Sequence, residues 1–427
     1  MIVYDPLYGR FQSPGRLLPL LLTPEVRRLS QIRLLNTLTP SLSTLGDLRR
    51  YSHTLGVLYL AQTNSLAGYT PQERAAFAAS VIIHDIGTPP FGHLMEYHLK
   101  EIAGWSHEDV IRAILWGHHA PENRAHQIFA GRPLGVRAAL RRARVSLDLV
   151  QAIITRQHPL SALLFGSIDF DNLDNVLRMA WALGLQFPPA IFVDLARGLS
   201  VSRDGTLQLS EARHRESIER WAELRRQVYE IVAFDPETVA QQAVLSEAIA
   251  IALRAGLLTE TDWALYDELL IERLRSSEKT KLLVSRDYLG QPPKLIYAVQ
   301  LVGELSDYNL KSRSEAKILL DRVLADQFGM SKALGYVFVD KGAFEKRLEF
   351  RDIKQDAIWE VGRTSRSVIL YAFLRASTIS KDQAAVAVNS LTKAVGISGV
   401  AIARCLTADS NERDKLSDQP QLTLPAF

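Results

Sequence analysis

The stretch from Val81 to His98, VIIHDIGTPPFGHLMEYH, sets the tightest limit on how this chain can fold. An apolar run arrives at two adjacent polar residues, His84 and Asp85, is broken by Gly87 and Pro89-Pro90, and resumes with His93, Glu96 and His98. Upstream, Thr70-Pro71-Gln72-Glu73 is a capping box with proline at the first helical position. A helix therefore starts there and ends where glycine and the prolines stop it. At such an end a neutral imidazole and a carboxylate stand about 100° apart, close enough to turn towards one divalent cation. A His-Asp pair alone is common. A metal centre needs a separate His and a separate Asp from other helices.

Candidates for both are present. In GDLRRYSHTLGVLYLAQTN, 46–64, Arg50, His53, Val57 and Leu60 share one helical face, although a histidine in such a face is more often a core residue than a ligand. In GSIDFDNLDNVLRMAWALG, 166–184, Asp169, Asp171 and Asp174 precede an apolar helical run, with Asp171, Asn175 and Arg178 on one stripe. Capping accounts for at least one of these acids. His93 and Glu96 lie one turn apart, so the carboxylate can orient the imidazole for proton transfer; the plain alternative is an exposed pair. Around His107, in Ser106-His107-Glu108-Asp109, capping explains the Ser and the Asp but not the His. WGHHAPENRAHQIFAG, 116–131, reads as a polar loop, and the arginine-dense 137–150 as an exposed face or a phosphate- or nucleic-acid-binding one.

Composition bounds the rest. At 427 residues the chain exceeds one typical domain; a core of roughly 200–300 residues with a smaller companion is expected. With 47% hydrophobic and 23% charged residues it reads as globular, and a net charge of +3 makes no strong case for nucleic acid. Cys405 is the one cysteine, which excludes an intrachain disulfide framework and a Cys-based zinc site. No secretory leader is expected, and LLPLLL, 17–22, is too short to span a bilayer, so a soluble, cytoplasmic protein without membrane partners is expected.

The order Arg-x-x-His (Arg50 to His53), His-Asp-Ile-Gly-x-x-Pro-Phe-x-His (His84 to His93), Trp-x-His-Glu (Trp105 to Glu108) and Ile-Asp-x-Asp-x-x-Asp (Ile168 to Asp174) resembles the HD-domain deoxynucleotide triphosphohydrolases. That group includes the bacterial dGTP triphosphohydrolases and the animal SAM-and-HD-domain dNTPase. The likeness covers roughly 46–184 and continues weakly through DGTLQLS, 204–210, a hairpin, and the helix at 220–236. It implies a mainly α fold with the HD helical core. It also implies the metal ligands His53, His84, Asp85 and Asp171, a donor set suited to Mn, Mg, Fe, Co or Ni. By the same likeness Arg50, Arg220 and Arg225 would contact substrate phosphates, and His93, oriented by Glu96, and His107 would serve proton transfer to the leaving group or hold it electrostatically. The implied reaction releases triphosphate and a deoxynucleoside.

The chain departs from the SAM-and-HD pattern at Thr88, where that enzyme has histidine, and in the sugar pocket. Asn175 replaces the tyrosine under the deoxyribose, and Met179 replaces the aspartate at the 3′-hydroxyl. A monophosphate or a signalling nucleotide therefore stays open as substrate, as does a non-hydrolytic nucleotide sensor or scaffold. The expected division is lead-in helices over 1–45, the phosphohydrolase core over 46–275 and a mixed α/β region over 276–427, regulatory or oligomerising, in a homo-oligomer. LLVSRDYLG, PKLIYAVQLV and ALGYVFVDKG read as strands, and 312–327 and 382–395 as helices. The polar tail 409–421 is expected to be mobile.

Overall fold

The helix Pro71–Ile83 begins as the capping box requires: the Thr70 hydroxyl accepts from the Glu73 amide at 3.2 Å, and the Glu73 carboxylate accepts from the Thr70 amide at 2.7 Å. It ends at His84, and the turn that follows is held by close packing. A Cβ on Gly87 would lie 2.1 Å from the His107 carbonyl oxygen, so only glycine lets the helix His107–Trp116 approach this closely. The computed structural model describes residues 1–116, 134–329, 333–340, 342–375, 386–391, 393 and 402–407. The histidines of the 116–131 stretch and the tail 409–421 lie outside them.

The protein is mainly helical, with small sheets and a smaller mixed α/β region. It divides into one unit of Met1–Gln291 with Gly342–Thr364 and a second of Pro292–Lys341 with Ser365–Phe427. The first unit holds the long helices, among them Arg50–Thr63, Pro71–Ile83, Phe170–Ala182, Glu211–Phe234 and Pro236–Arg254. Their apolar faces bury Leu58, Leu60, Phe77, Val81, Phe170, Leu177, Trp221 and Ala243. Its beginning differs from the expected lead-in helices. Ile2–Asp5 and Gly9–Gln12 pair as a hairpin, because Asp5 accepts from the Leu7 amide at 2.9 Å and Gly9 takes φ 68° at the turn. Short helices, Leu18–Leu21 and Pro24–Arg28, follow.

A four-stranded sheet in this unit joins Ser200–Val201 and Leu207–Gln208 to Leu348–Arg351 and Ile358–Val361, so the segment Gly342–Thr364 returns to the helical unit from far along the chain. LLVSRDYLG is a helix rather than a strand, Leu283–Tyr288 in π form. Its buried positions, Val284, Asp287 and Tyr288, follow helical and not alternating spacing. The Tyr288 hydroxyl accepts from the Leu38 amide at 3.1 Å, and its carbonyl accepts from Gln241 at 3.1 Å.

The second unit is an antiparallel sheet ordered Ile402–Thr407, Lys294–Val302, Ser367–Leu374 and Ala333–Asp340. The helix Arg313–Phe328, capped by Ser312, packs Ala316, Leu320 and Leu324 with Tyr297, Val299, Val337 and Leu370. Among the described residues, no helix is long and apolar enough to cross a membrane.

Candidate functional site

The helix Phe170–Ala182 meets Arg50–Thr63 through its acidic start. Asp169 is the cap, accepting from the Asn172 amide at 2.7 Å, and that frees Asp171 and Asp174, one turn apart, for the facing histidine. His53, 1% exposed, stands between them: Nδ1 is 2.7 Å from Asp174 Oδ2 and Nε2 is 2.8 Å from Asp171 Oδ1. Asp174 is fixed in turn by two bonds from Arg178, both 2.9 Å, and by the Tyr8 hydroxyl at 2.8 Å; Arg178 also reaches Asp5 at 3.0 Å. Arg178, seven positions on from Asp171 in the same helix, turns back to Asp174 and is thus part of the support beneath the site. Burial opposes charge on His53, but the two carboxylates outweigh it and push the imidazole up to about 9.

Tautomers follow from these partners. His84 Nδ1 donates to the Val81 carbonyl at 2.7 Å, since a carbonyl can only accept, and Nε2 keeps its lone pair. That Nε2 is buried and has no hydrogen-bond partner. It lies 3.8 Å from Asp171 Oδ1 and 3.6 Å from Asp85 Oδ2. Ligand atoms of His53, His84 and Asp171 all fall within 4.8 Å of one another. Atoms bound to one octahedral ion at about 2.1 Å stand about 3 Å apart when adjacent and about 4.2 Å when opposite. With the His53 proton on Nδ1 towards Asp174, the Nε2 lone pairs of His53 and His84 and the Asp171 oxygen converge at this spacing, so the residues fit a divalent metal.

Asp85 borders the same point but is held differently. Both its oxygens accept from Arg50 Nη1, at 3.0 and 2.9 Å, and Oδ1 also accepts from the Thr88 hydroxyl at 3.1 Å. Burial raises its carboxyl, but Arg50 and then His84 and His53 hold it well below the usual carboxylate range. The Arg50 Nε is buried without a partner, and its Nη2 lies where a Cβ on Gly92 would come within 2.8 Å.

A second cluster adjoins through the Gly87 contact. Glu96 takes His93 Nδ1 at 2.7 Å on one oxygen, and His107 Nδ1 at 2.9 Å with the His107 amide at 2.8 Å on the other. His93 is 65% exposed and its ring meets that of His107 edge-on at 5.6 Å. Burial lowers His107, but the Glu96 carboxylate more than reverses this, so the imidazole holds its proton above the ordinary range.

The two arginines of the long helix part company, because five positions turn a helix by about 140°. Arg220 is exposed and pairs with Glu216 at 2.5 Å in a groove that also holds Asp194. Arg225 is buried, donates to the Ala343 carbonyl and lies over Tyr229 at 4.8 Å. Met179 is buried, and Asn175 Oδ1 is buried with no partner. Sequence reasoning missed the support from Tyr8 and Asp5, which has no local signal, and gave Asp174 no role. It also missed Lys346, whose Nζ lies 3.5 Å from the Gly166 carbonyl.

No model of a known protein family matches the chain. It is 24% identical over 254 residues to the uncharacterized protein YwfO of Bacillus subtilis, covering 57% of this chain and 54% of that one. It is 21% identical over 280 residues to an uncharacterized protein of Methanocaldococcus jannaschii, covering 65% and 55%. The chain spans about half the length of the curated relatives it matches. Its fold is shared with a phosphohydrolase from Bacteroides thetaiotaomicron, with TM-score 0.62 and 19% identity over 88% of this chain and 100% of that one. A hypothetical protein from Aquifex aeolicus also has TM-score 0.62, with 15% identity over 92% and 99%. At these identities the likeness is one of fold.

Proposed function

We propose that this chain is a divalent-metal-dependent phosphohydrolase acting on nucleotides, with a deoxynucleoside triphosphate cut to the deoxynucleoside and triphosphate as the preferred reading. The observation that carries it is the buried convergence of His53 Nε2, His84 Nε2 and Asp171 Oδ1, with the His84 lone pair aimed at no protein donor. The phosphohydrolase of like fold and the order of the motifs support it. A bound divalent ion supplies Lewis acidity towards phosphate and water.

The protein's own groups do the rest. Asp174 sets the His53 tautomer and ring angle, as partners behind metal-binding histidines do. Arg50 holds Asp85 and turns its remaining N–H groups to phosphate oxygens. His107, kept protonated by Glu96, gives a proton to the leaving oxygen, with His93 beside it to exchange protons with solvent. The test is a screen of the purified protein with Mn²⁺ or Mg²⁺ against dNTPs, NTPs and monophosphates, reading products by chromatography. Intact triphosphate from a dNTP is the expected product. Pyrophosphate or orthophosphate refutes that cleavage position, and no turnover of any nucleotide favours a binding role.

A further inference from the structure

The segment Gly342–Thr364 brings a lysine to the edge of this site. Lys346 is half-buried, and its Nζ lies 3.5 Å from the Gly166 carbonyl, just ahead of the turn that carries Asp169 and Asp171. Its backbone is locked from one side, where a Cβ on Gly362 would come within 2.7 Å of its carbonyl oxygen. On the other side Phe344 stacks on Phe234 with centroids 6.0 Å apart, and Ala343 accepts from Arg225. Arg225 Nε is buried with no partner. Among the described residues no carboxylate forms an ion pair with either Lys346 or Arg225.

Cations drawn out of water are costly; Asp169 offsets this for Lys346 only through space, and an incoming anion relieves both cations. Their mutual influence shows in the lysine itself: burial pushes Lys346 down, Asp169 pulls it up, Arg225 pushes it down again and Asp171 pulls it up. Resting on the phosphohydrolase reading, in which Arg225 is already expected at substrate phosphates, we propose that Lys346 joins it in receiving the phosphates of the substrate chain beyond the one at Asp171. A returning segment of the distant chain thereby takes part in choosing polyphosphate over monophosphate.

The test uses inorganic tripolyphosphate and orthophosphate as probes, titrated calorimetrically into the full chain loaded with Mn²⁺. Lys346→Gln is expected to weaken tripolyphosphate by about tenfold or more and orthophosphate by less than about twofold, with Lys346→Arg restoring most of the loss. A lysine that merely holds Asp169 in place would lower the thermal midpoint and weaken both probes alike, which overturns the proposal. So does unchanged tripolyphosphate affinity, or a wild type that does not bind it. Should Lys346→Gln fail to fold, Arg225→Lys is read by the same ratio. Tripolyphosphate binding that depends on Lys346 without turnover of any nucleotide supports the pair and removes only the hydrolase reading. Turnover with an unaltered KM in Lys346→Gln removes only the pair.

Discussion

Gly56→Ala should destabilise the protein although it replaces glycine in the middle of a helix. Helix propensity alone favours alanine there by about 1 kcal/mol. The added Cβ, however, would lie 1.9 Å from Asp174 Oδ1 and 2.3 Å from Arg178 Nη2. Contact at about 3.2 Å demands a shift of more than about 1 Å, which carries a hydrogen bond of ordinary length out of range. The bonds at stake are the 2.7 Å contact to His53 and the 2.9 Å pairs with Arg178. Disturbing a buried ion pair costs about 3 kcal/mol, so the net loss is about 2 kcal/mol. Asp174 also ceases to orient His53, so metal affinity falls about tenfold or more. Denaturant unfolding and metal titration read the two effects. A variant more stable than wild type with full metal affinity would refute the packing argument, since propensity would then have decided the outcome.

Two further outcomes follow from named contacts. The Arg203 guanidinium above all, helped by the Thr70 amide, holds the Glu73 carboxyl down to about 2 from 4.5, so this contribution is complete above about 4.5 and lost as pH falls to about 2. The midpoint gap between wild type and Arg203→Ala should therefore shrink from about pH 5 to about pH 3; a gap constant over that range contradicts the assignment. Asn175 leaves space and a buried acceptor where an aromatic ring would form a wall, so Asn175→Tyr should raise the deoxy-over-ribo ratio of kcat/KM. A wild-type preference for deoxynucleotides of about a hundredfold or more would place sugar selection elsewhere.

Residues close in sequence or on one helical face were legible before the structure. The capping box and the Gly87-Pro stop placed His84 and Asp85 at a helix end, and helical spacing put His53 inward. What escaped is support from a distance. Tyr8 reaches Asp174, and Asp5 reaches Arg178, from a hairpin whose sequence, IVYD and GRFQ, shows no apolar–polar alternation, and Lys346 arrives on a segment that leaves the second unit. The LLVSRDYLG run misled because β-branched and aromatic content outweighed spacing, yet burial follows the helical turn there. Arg220 and Arg225 were given one role in sequence, but they face different ways on the helix, and Arg225 packs on Tyr229 and Trp221 and bonds Ala343.

The central claim is that His53, His84 and Asp171 hold one divalent ion that hydrolysis requires. Elemental analysis of purified wild type, His84→Ala and Asp171→Ala, each assayed for nucleotide hydrolysis on the same preparation, tests it directly. The account predicts about one transition-metal ion per chain in wild type, with loss of both metal and activity in each variant at a retained fold. Full occupancy in both variants, or hydrolysis by the metal-depleted wild type, would contradict it.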